Sequence, residues 1–194
     1  MEITSAQIKA LRETTGVAVM QCKKALEEAG GDMEKARVIL RKKGSEAAVK
    51  KADRTLGAGT IAAYVHTTGA VAALVQLSCE TDFVSKNAEF ATLARDIAMQ
   101  VAALAPRYIR REDIDDVSRT AAQAVFQNEV KDKPADLREK ILSGKLDAYF
   151  KEQILLEQQF VKDPDRTIND LIESATQKFG ERIVVTAMSR LSVK

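Results

Sequence analysis

The chain has 194 residues, of which 45% are hydrophobic and 30% are charged, with 9 Gly and 3 Pro. This composition is typical of a folded globular protein and argues against collagen-like and disordered classes. No apolar run approaches the roughly 20 residues that span a bilayer, and no basic region followed by an apolar core opens the sequence. Two cysteines cannot form a disulfide framework. We therefore expect a cytoplasmic protein that makes no membrane contact.

The formal net charge is only +2, but the charges are unevenly distributed. Residues 1–52 contain 11 Lys or Arg and 7 Asp or Glu, whereas residues 112–173 contain 9 and 15, respectively. This asymmetry is compatible with a basic end that binds nucleic acid, with a surface shaped for an acidic protein, or with two solvated faces that bind nothing.

The N-terminal segment predicts three short helices. Thr4 and Gln7 form a capping-box pattern at the first helix, and Asp32 caps the third. The three helices are expected to end at glycines, namely Gly16, Gly30–Gly31 and Gly44. Since such a bundle has a small core, residues 1–54 predict a three-helix docking module with a basic linker, separate from residues 55–194.

Residues 55–194 predict an α+β core that begins with a β-hairpin around His66–Gly69. Apolar residues alternate on both sides of this loop, at Ile61, Ala63 and Val65 and then at Val71, Ala73, Val75 and Leu77. A helix follows from Asn87 and stops at Pro106. Its apolar face is expected at Phe90, Leu93, Ala94, Ile97, Val101 and Leu104.

A helical hairpin is predicted at about 113–162, with a break at Lys133–Pro134. The inward face of its first helix is expected at Val117, Ala121, Ala124 and Val125, and that of its second at Leu137, Ile141, Leu142, Tyr149, Phe150 and Ile154. Asp163–Pro164–Asp165 then reads as a turn, a helix opens at Thr167 and ends at Gly180, and Arg182–Val193 predicts a final strand. This order indicates an α+β fold with an antiparallel sheet.

Few residues offer catalytic chemistry. The segment 57–60 lacks the Gly-Lys-Ser/Thr ending of a phosphate-binding loop. Cys22 and Cys79 have no second metal ligand near them in sequence, so buried reduced thiols are expected rather than a zinc site. His66, the single histidine, is expected on a surface loop. We therefore predict a protein that is not an enzyme and that has no metal, cofactor or nucleotide site of its own.

The segment around Phe83 follows the second predicted strand. Glu80 and Asp82 fall on one side of it and could form an acid pair, although capping of the following helix explains them better. Composition alone favours the interpretation of Phe83 as an anchor in the core. The alternative is a hydrophobic wedge that a rigid loop presents to a partner protein.

Several segments, in order along the chain, resemble the bacterial elongation factor Ts family. Leu11–Gly16 and Cys22–Leu26 are similar to its opening signature, and Thr81–Val84 is similar to its signature loop. Further similar segments are Phe90, Ile97–Ala103, Lys140–Lys145, Phe160–Val161 and Thr167. The resemblance covers essentially the whole chain and indicates a short member of the family.

The resemblance implies a guanine nucleotide exchange factor for elongation factor Tu, a GTPase of translation elongation. Such a factor binds the GDP form, dislodges Mg²⁺ and promotes GDP release so that GTP can rebind. The partner-binding loop would be Thr81, Asp82, Phe83 and Val84, with Asp82 and Phe83 disturbing the side chains that hold the ion. The N-terminal module would resemble a ubiquitin-associated domain and dock on the partner through Lys9, Met20 and Lys23.

Two departures from the family pattern carry expectations of their own. Longer members contain two related α+β subdomains, whereas this chain has room for about one, so a homodimer through the core is expected. Gln100 stands in a segment where longer members place a histidine, which puts any partner contact of that residue in doubt.

Two further functions fit part of the sequence. A non-catalytic helical adaptor would account for residues 1–52 but not for the loop Thr81–Val84. An RNA-associated binding protein would account for the basic linker but not for the acidic hairpin, and we expect no specific nucleic acid partner.

Overall fold

The computed structural model describes residues 3–131 and 134–193. Three helices come first, α1 (Ser5–Thr15), α2 (Val19–Glu28) and α3 (Met33–Lys50). The chain continues with β1 (Ala58–Val65), β2 (Val71–Cys79), α4 (Asp82–Ser85), α5 (Ala88–Leu104), α6 (Asp116–Glu129), α7 (Ala135–Lys151), β3 (Gln159–Phe160), β4 (Asp163–Thr167), α8 (Ile168–Phe179) and β5 (Val184–Ser192). The predicted α+β class and three N-terminal helices are confirmed.

Local hydrogen bonds define both ends of α1 and the start of α3, as the sequence predicts. The hydroxyl of Thr4 accepts from the backbone N–H of Gln7, whose side chain accepts from the N–H of Thr4. Gly16 follows α1 with a φ of 69°, and Asp32 accepts two N–H groups at the start of α3. The core of these helices is small and consists of Leu11, Val17, Cys22, Ala25, Leu26, Ala36 and Leu40.

The third helix continues past Gly44 to Lys50, so the expected stop at Gly44 is wrong. Gly44 is buried where α3 packs against α8, and a Cβ added there would lie 3.6 Å from the carbonyl oxygen of Glu173. Gly44 thus lies at the crossing of two helices with an ordinary helical φ, and it does not form the left-handed turn that would end α3. Because α3 does not end at Gly44, the part of the linker up to Lys50 is helical.

The strands β1, β2 and β5 form one antiparallel sheet in the order β1–β2–β5. The predicted hairpin is confirmed, with Ala63 opposite Leu74 and Gly69 in the left-handed region of the connecting loop. The predicted final strand pairs with β2, where Ala72 lies opposite Leu191.

The two faces of this sheet have different surroundings. Helix α5 covers one face, and side chains of α8 complete the same core. Ala73, Val75 and Leu77 of β2 point into this core, whereas Ile61 and Val65 of β1 point to the opposite, exposed face. The alternating apolar residues of β1 and β2 thus lie on opposite sides of the sheet.

The helical hairpin is confirmed, but the expected inward face of its first helix is wrong. Val117, Ala121, Ala124 and Val125 are exposed, and α6 packs through Ala122 and Phe126 instead. Ala122 is buried in the same cluster as Phe150 of α7, and the ring centroid of Phe126 lies 5.5 Å from that of Tyr149. Of the expected break, Lys133 lies outside the described residues and Pro134 precedes α7. No helix in the described part of the chain is long and apolar enough to cross a membrane.

Two expectations near this hairpin also need correction. Ile154 is buried, as expected, but it lies beyond the end of α7 at Lys151. Asp163–Pro164–Asp165 belongs to β4 rather than to a turn. Proline is tolerated there because β4 pairs only with β3, in a two-stranded sheet where one edge makes no ladder bonds.

A buried glutamine joins α5 to the β3–β4 hairpin. Gln100 is fully buried, and its amide nitrogen donates to the side-chain oxygen of Gln158 at 3.1 Å and to the carbonyl oxygen of Gln159 at 3.0 Å. Its amide oxygen accepts the N–H of Val161 at 3.0 Å. All three bonds are internal, so Gln100 faces the core and not a partner.

Replacing Gln100 by Ala should lower the free energy of unfolding by about 3 kcal/mol, because a cavity forms and buried polar groups lose their partner. Urea denaturation measures this change. The matched control is Gln127→Ala, which removes an exposed glutamine from α6 and should change stability by less than about 0.5 kcal/mol. Equal stabilities for the two variants would contradict this account of Gln100.

Candidate functional site

The end of β2 leads in two residues to α4, a single helical turn that carries Phe83. The Phe83 side chain is 82% exposed, whereas that of the next residue, Val84, is only 2% exposed and packs in the main core. A large apolar side chain with this exposure is held out in solvent by a backbone that is anchored beside it. The interpretation of Phe83 as a core anchor is therefore wrong, and the interpretation as a wedge, which requires an exposed ring, stays a prediction.

The loop before Phe83 is tied to the junction between α8 and β5. One carboxylate oxygen of Glu181 accepts the backbone N–H groups of Glu80 and Thr81 at 3.1 Å and 3.0 Å. Its other oxygen accepts the hydroxyl of Thr81 at 2.5 Å. The hydroxyl of Thr81 is therefore engaged within the protein.

A second carboxylate, which belongs to the loop itself, accepts hydrogen bonds from the segment after α8 and from the linker after α3. Glu80 accepts the backbone N–H of Arg182 at 2.6 Å and the guanidinium of Arg54 at 3.2 Å. The hydrogen bond from the Arg182 backbone, followed by that from Arg54, holds the pKa of Glu80 below its usual value. Arg182 also donates to the carbonyl oxygen of Arg54, so the linker after α3 joins the same cluster.

Asp82 and Glu80 do not form the acid pair that was considered, because each carboxylate has its own cationic partner. Lys86 donates to Asp82 at 2.6 Å and lowers its pKa, so this exposed carboxylate is ionised at neutral pH. Nor do the two residues cap the helix α5, since Asn87 fills that position. Asp82 therefore presents a negative charge directly beside the exposed ring of Phe83.

The thiol of Cys79 also forms a hydrogen bond with this loop. It is buried and donates to the carbonyl oxygen of Thr81 at 3.2 Å. Burial raises the pKa of Cys79, which keeps the thiol protonated and able to donate. Both cysteines are buried free thiols, as expected.

The residues expected to dock the N-terminal module lie on α1 and α2. Met20 is 61% exposed at the start of α2, and Lys23 follows it by one helical turn. Lys23 pairs with Glu27 and Lys9 pairs with Glu13, each at 3.8 Å along its own helix. All three side chains are thus accessible at the surface.

The sequence did not reveal the residues that hold the loop before Phe83 in place. Arg54, Glu181 and Arg182 lie far from the loop in sequence, and no local pattern marks them as its partners. His66 is exposed, as expected. Among residues 3–131 and 134–193, no group of three or more His, Cys, Asp or Glu side chains is arranged to hold a metal ion.

Comparison with known proteins gives one family. The model of the family described as elongation factor TS matches residues 4–194. Elongation factor Ts of Thermotoga petrophila is 47% identical, with 100% of this chain and 97% of that relative covered. The homologues from Carboxydothermus hydrogenoformans and Moorella thermoacetica are 49% and 45% identical, with 98% of this chain covered in both and 89% and 95% of those relatives.

Proposed function

The chain belongs to the elongation factor Ts family, and from this premise we propose that it binds elongation factor Tu and expels GDP with the side chain of Phe83. Its role is nucleotide exchange in translation elongation. The observation that carries the proposed mechanism is the exposure of Phe83, which is 82% on an anchored turn.

The physical basis of exchange is thermodynamic coupling between two ligands of the partner. A factor that binds the nucleotide-free form more tightly than the GDP form must weaken GDP binding to the same extent. This requires no covalent chemistry and no cofactor, so the protein acts on its partner without being an enzyme.

The size of the wedge suits this task. A thousandfold faster release of GDP needs a barrier lower by about 4 kcal/mol. Burial of one Phe side chain in the partner contributes about 2–3 kcal/mol. The remainder would come from the loss of Mg²⁺ contacts to the phosphates, once Phe83 and the ionised Asp82 disturb the side chains that hold the ion. Thr81 and Val84 contribute by holding the turn, through the hydroxyl and the buried side chain, respectively.

Phe83→Ala tests the wedge directly. The variant should melt within a few degrees of the original protein, because the ring is largely exposed. At saturating factor, stimulation of GDP release from elongation factor Tu should fall about ten- to a hundredfold, equivalent to about 1.4–2.8 kcal/mol. Thermal melts and release of a fluorescent GDP analogue measure the two quantities.

Two further variants sharpen this experiment. Asp82→Ala should cause a smaller loss of exchange at similar stability, since Asp82 is the polar neighbour of the ring. The matched control Phe90→Ala removes a fully buried Phe from α5 and should destabilise the protein by about 3–5 kcal/mol. A Phe83→Ala protein that exchanges at the full rate would exclude the wedge.

Residues 1–54 serve, in this proposal, as a docking module that supplies affinity rather than exchange. The exposed Met20 offers an apolar contact with Lys23 one turn further along α2, and Lys9 adds a second cation on α1. Such a surface suits a partner that places acidic side chains around an apolar groove.

Met20→Ala should therefore raise the Kd for elongation factor Tu by about three- to tenfold, from lost apolar burial. The maximal rate of GDP release at saturating factor should stay unchanged. The control is Val49→Ala, which truncates an exposed apolar side chain of α3 and should leave the Kd as it was. A reduced maximal rate for Met20→Ala would show that the module takes part in exchange itself.

The uncovered face of the sheet supports a homodimer. Ile61, Val65 and Leu191 on this face are 69%, 64% and 73% exposed, and Leu74 lies among them. The single charged residue of the three strands, Arg190, turns to the other side and donates to the carbonyl oxygen of Ala102. An apolar face without charges matches a second copy of itself, packed sheet on sheet.

Light scattering at micromolar concentration should give twice the mass of the chain. Leu74→Lys should shift this mass to that of the monomer, because each copy would bury a lysine charge in the apolar interface. Leu104→Lys is the matched control, since Leu104 is similarly exposed at the end of α5 but lies away from the face. A monomer mass for the unmodified protein would exclude the dimer.

We propose the cytoplasm as the location of the protein, since translation elongation proceeds there.

A further inference from the structure

We infer that Glu181 is a positioning residue for nucleotide exchange, which aims the ring of Phe83 by holding the two residues that precede its helical turn. This inference rests on the proposed role of Phe83 and adds to it a residue about 100 positions away in the chain. Glu181 itself needs no contact with the partner in order to act.

The hydrogen bonds of Glu181 satisfy donors that no strand can satisfy. The ladder between β1 and β2 ends at Cys79, and the ladder between β2 and β5 ends at Ser78. The N–H groups of Glu80 and Thr81 lie beyond both ladders, and Glu181 accepts them at 3.1 Å and 3.0 Å. One carboxylate thus replaces the missing strand partner at this point.

The side chain of Thr81 does not cap the helix that it precedes. It precedes α4 as the N-cap residue, but its side chain makes no capping bond to that helix. Its hydroxyl donates instead to Glu181 at 2.5 Å. The start of α4 is therefore oriented by α8 and β5 rather than by the helix itself.

The placement of Glu181 follows from the end of α8. Gly180 takes a φ of 73° there and turns the chain back toward the loop. Arg182, the next residue but one, donates its N–H to Glu80 at 2.6 Å. Bonds in both directions therefore join the two segments, and they resist a twist of one against the other.

Phe83 needs this external support because little else orients it. The exposed ring gains almost no packing within the chain, so its direction depends on the backbone of α4. A single turn of four residues is not stable in isolation. Val84 fixes the turn from the core side and Glu181 fixes it from the strand side. Since Phe83 acts only when its ring is correctly oriented toward the partner, loss of either support should reduce exchange.

Glu181→Ala should lower the maximal rate of GDP release from elongation factor Tu by about tenfold at saturating factor. The factor concentration that gives half the maximal rate should change less than about twofold, because the docking surfaces remain. Glu181→Gln should restore the rate to within about twofold, since its amide oxygen can accept both N–H groups while its amide nitrogen donates to the hydroxyl oxygen of Thr81. A merely structural role would not produce this separation of rate from affinity.

If Glu181→Ala folds poorly, a matched control and two milder variants at Thr81 still test the inference. Asp96→Ala breaks another tertiary ion pair, in which Lys162 lies 2.6 Å from the carboxylate, and should leave the maximal rate unchanged. Thr81→Val replaces the hydroxyl by a methyl group and should reduce the maximal rate about two- to fivefold, a larger loss than that of Thr81→Ser, which keeps the hydroxyl that Glu181 accepts. Equal rates for the valine and serine variants would contradict the inference.

Combination with Phe83→Ala distinguishes this inference from the proposal beneath it. If Glu181 acts through the ring, Glu181→Ala should cause no further loss, within about twofold, in a protein that already lacks Phe83. Losses that multiply would overturn the inference, as would a full rate for Glu181→Ala beside an impaired Phe83→Ala. A full rate for Phe83→Ala would overturn the wedge and this inference with it.

Discussion

The fold depends on one constraint, which is that a three-stranded sheet buries only one of its faces against the helices that this chain provides. Helix α5 lies across that face, and its residues Phe90, Ile97 and Val101 meet Val75 and Leu77 of the central strand. Burial of these side chains supplies most of the favourable free energy of the core. The same geometry leaves the other face apolar and open, and it brings the end of β2 to the edge of the core where α4 begins.

Elements whose ends depend on local hydrogen bonds could be predicted from the sequence. The capping box at Thr4, the left-handed Gly16 and the stop at Gly180 each involve residues within four positions of one another, so their pattern is visible in the chain. Gly44 shows where this reasoning fails, because a glycine that serves a helix crossing looks the same as one that ends a helix. Only the contact with α8 distinguishes the two.

Side-chain direction was harder to predict than element type. In α6 the apolar residues Val117 and Val125 suggest an inward face, but the small Ala122 and the ring of Phe126 make the contact with α7. In the loop, the exposure of Phe83 could be proposed from sequence, but its support could not, since Glu181 is about 100 residues away. Long-range polar contacts of this kind carry no periodic signal, and they appear only once the chain is folded.

The supports of the exposed ring also connect it to the N-terminal helices. Helix α3 packs against α8, and α8 ends at Gly180, immediately before the carboxylate that holds the loop. The linker after α3 reaches the loop a second time through Arg54, which pairs with Glu80. In the mechanism that we propose, a docking module joined to the loop of Phe83 would bring the ring close to the partner and so raise its effective concentration there. Under this proposal, affinity and rate would reside in different residues, because the module would supply binding that both nucleotide states of the partner share, while the ring would supply the difference between them. An exposed Phe is unfavourable in the free protein, and the proposed mechanism has its side chain buried only where that burial weakens GDP binding.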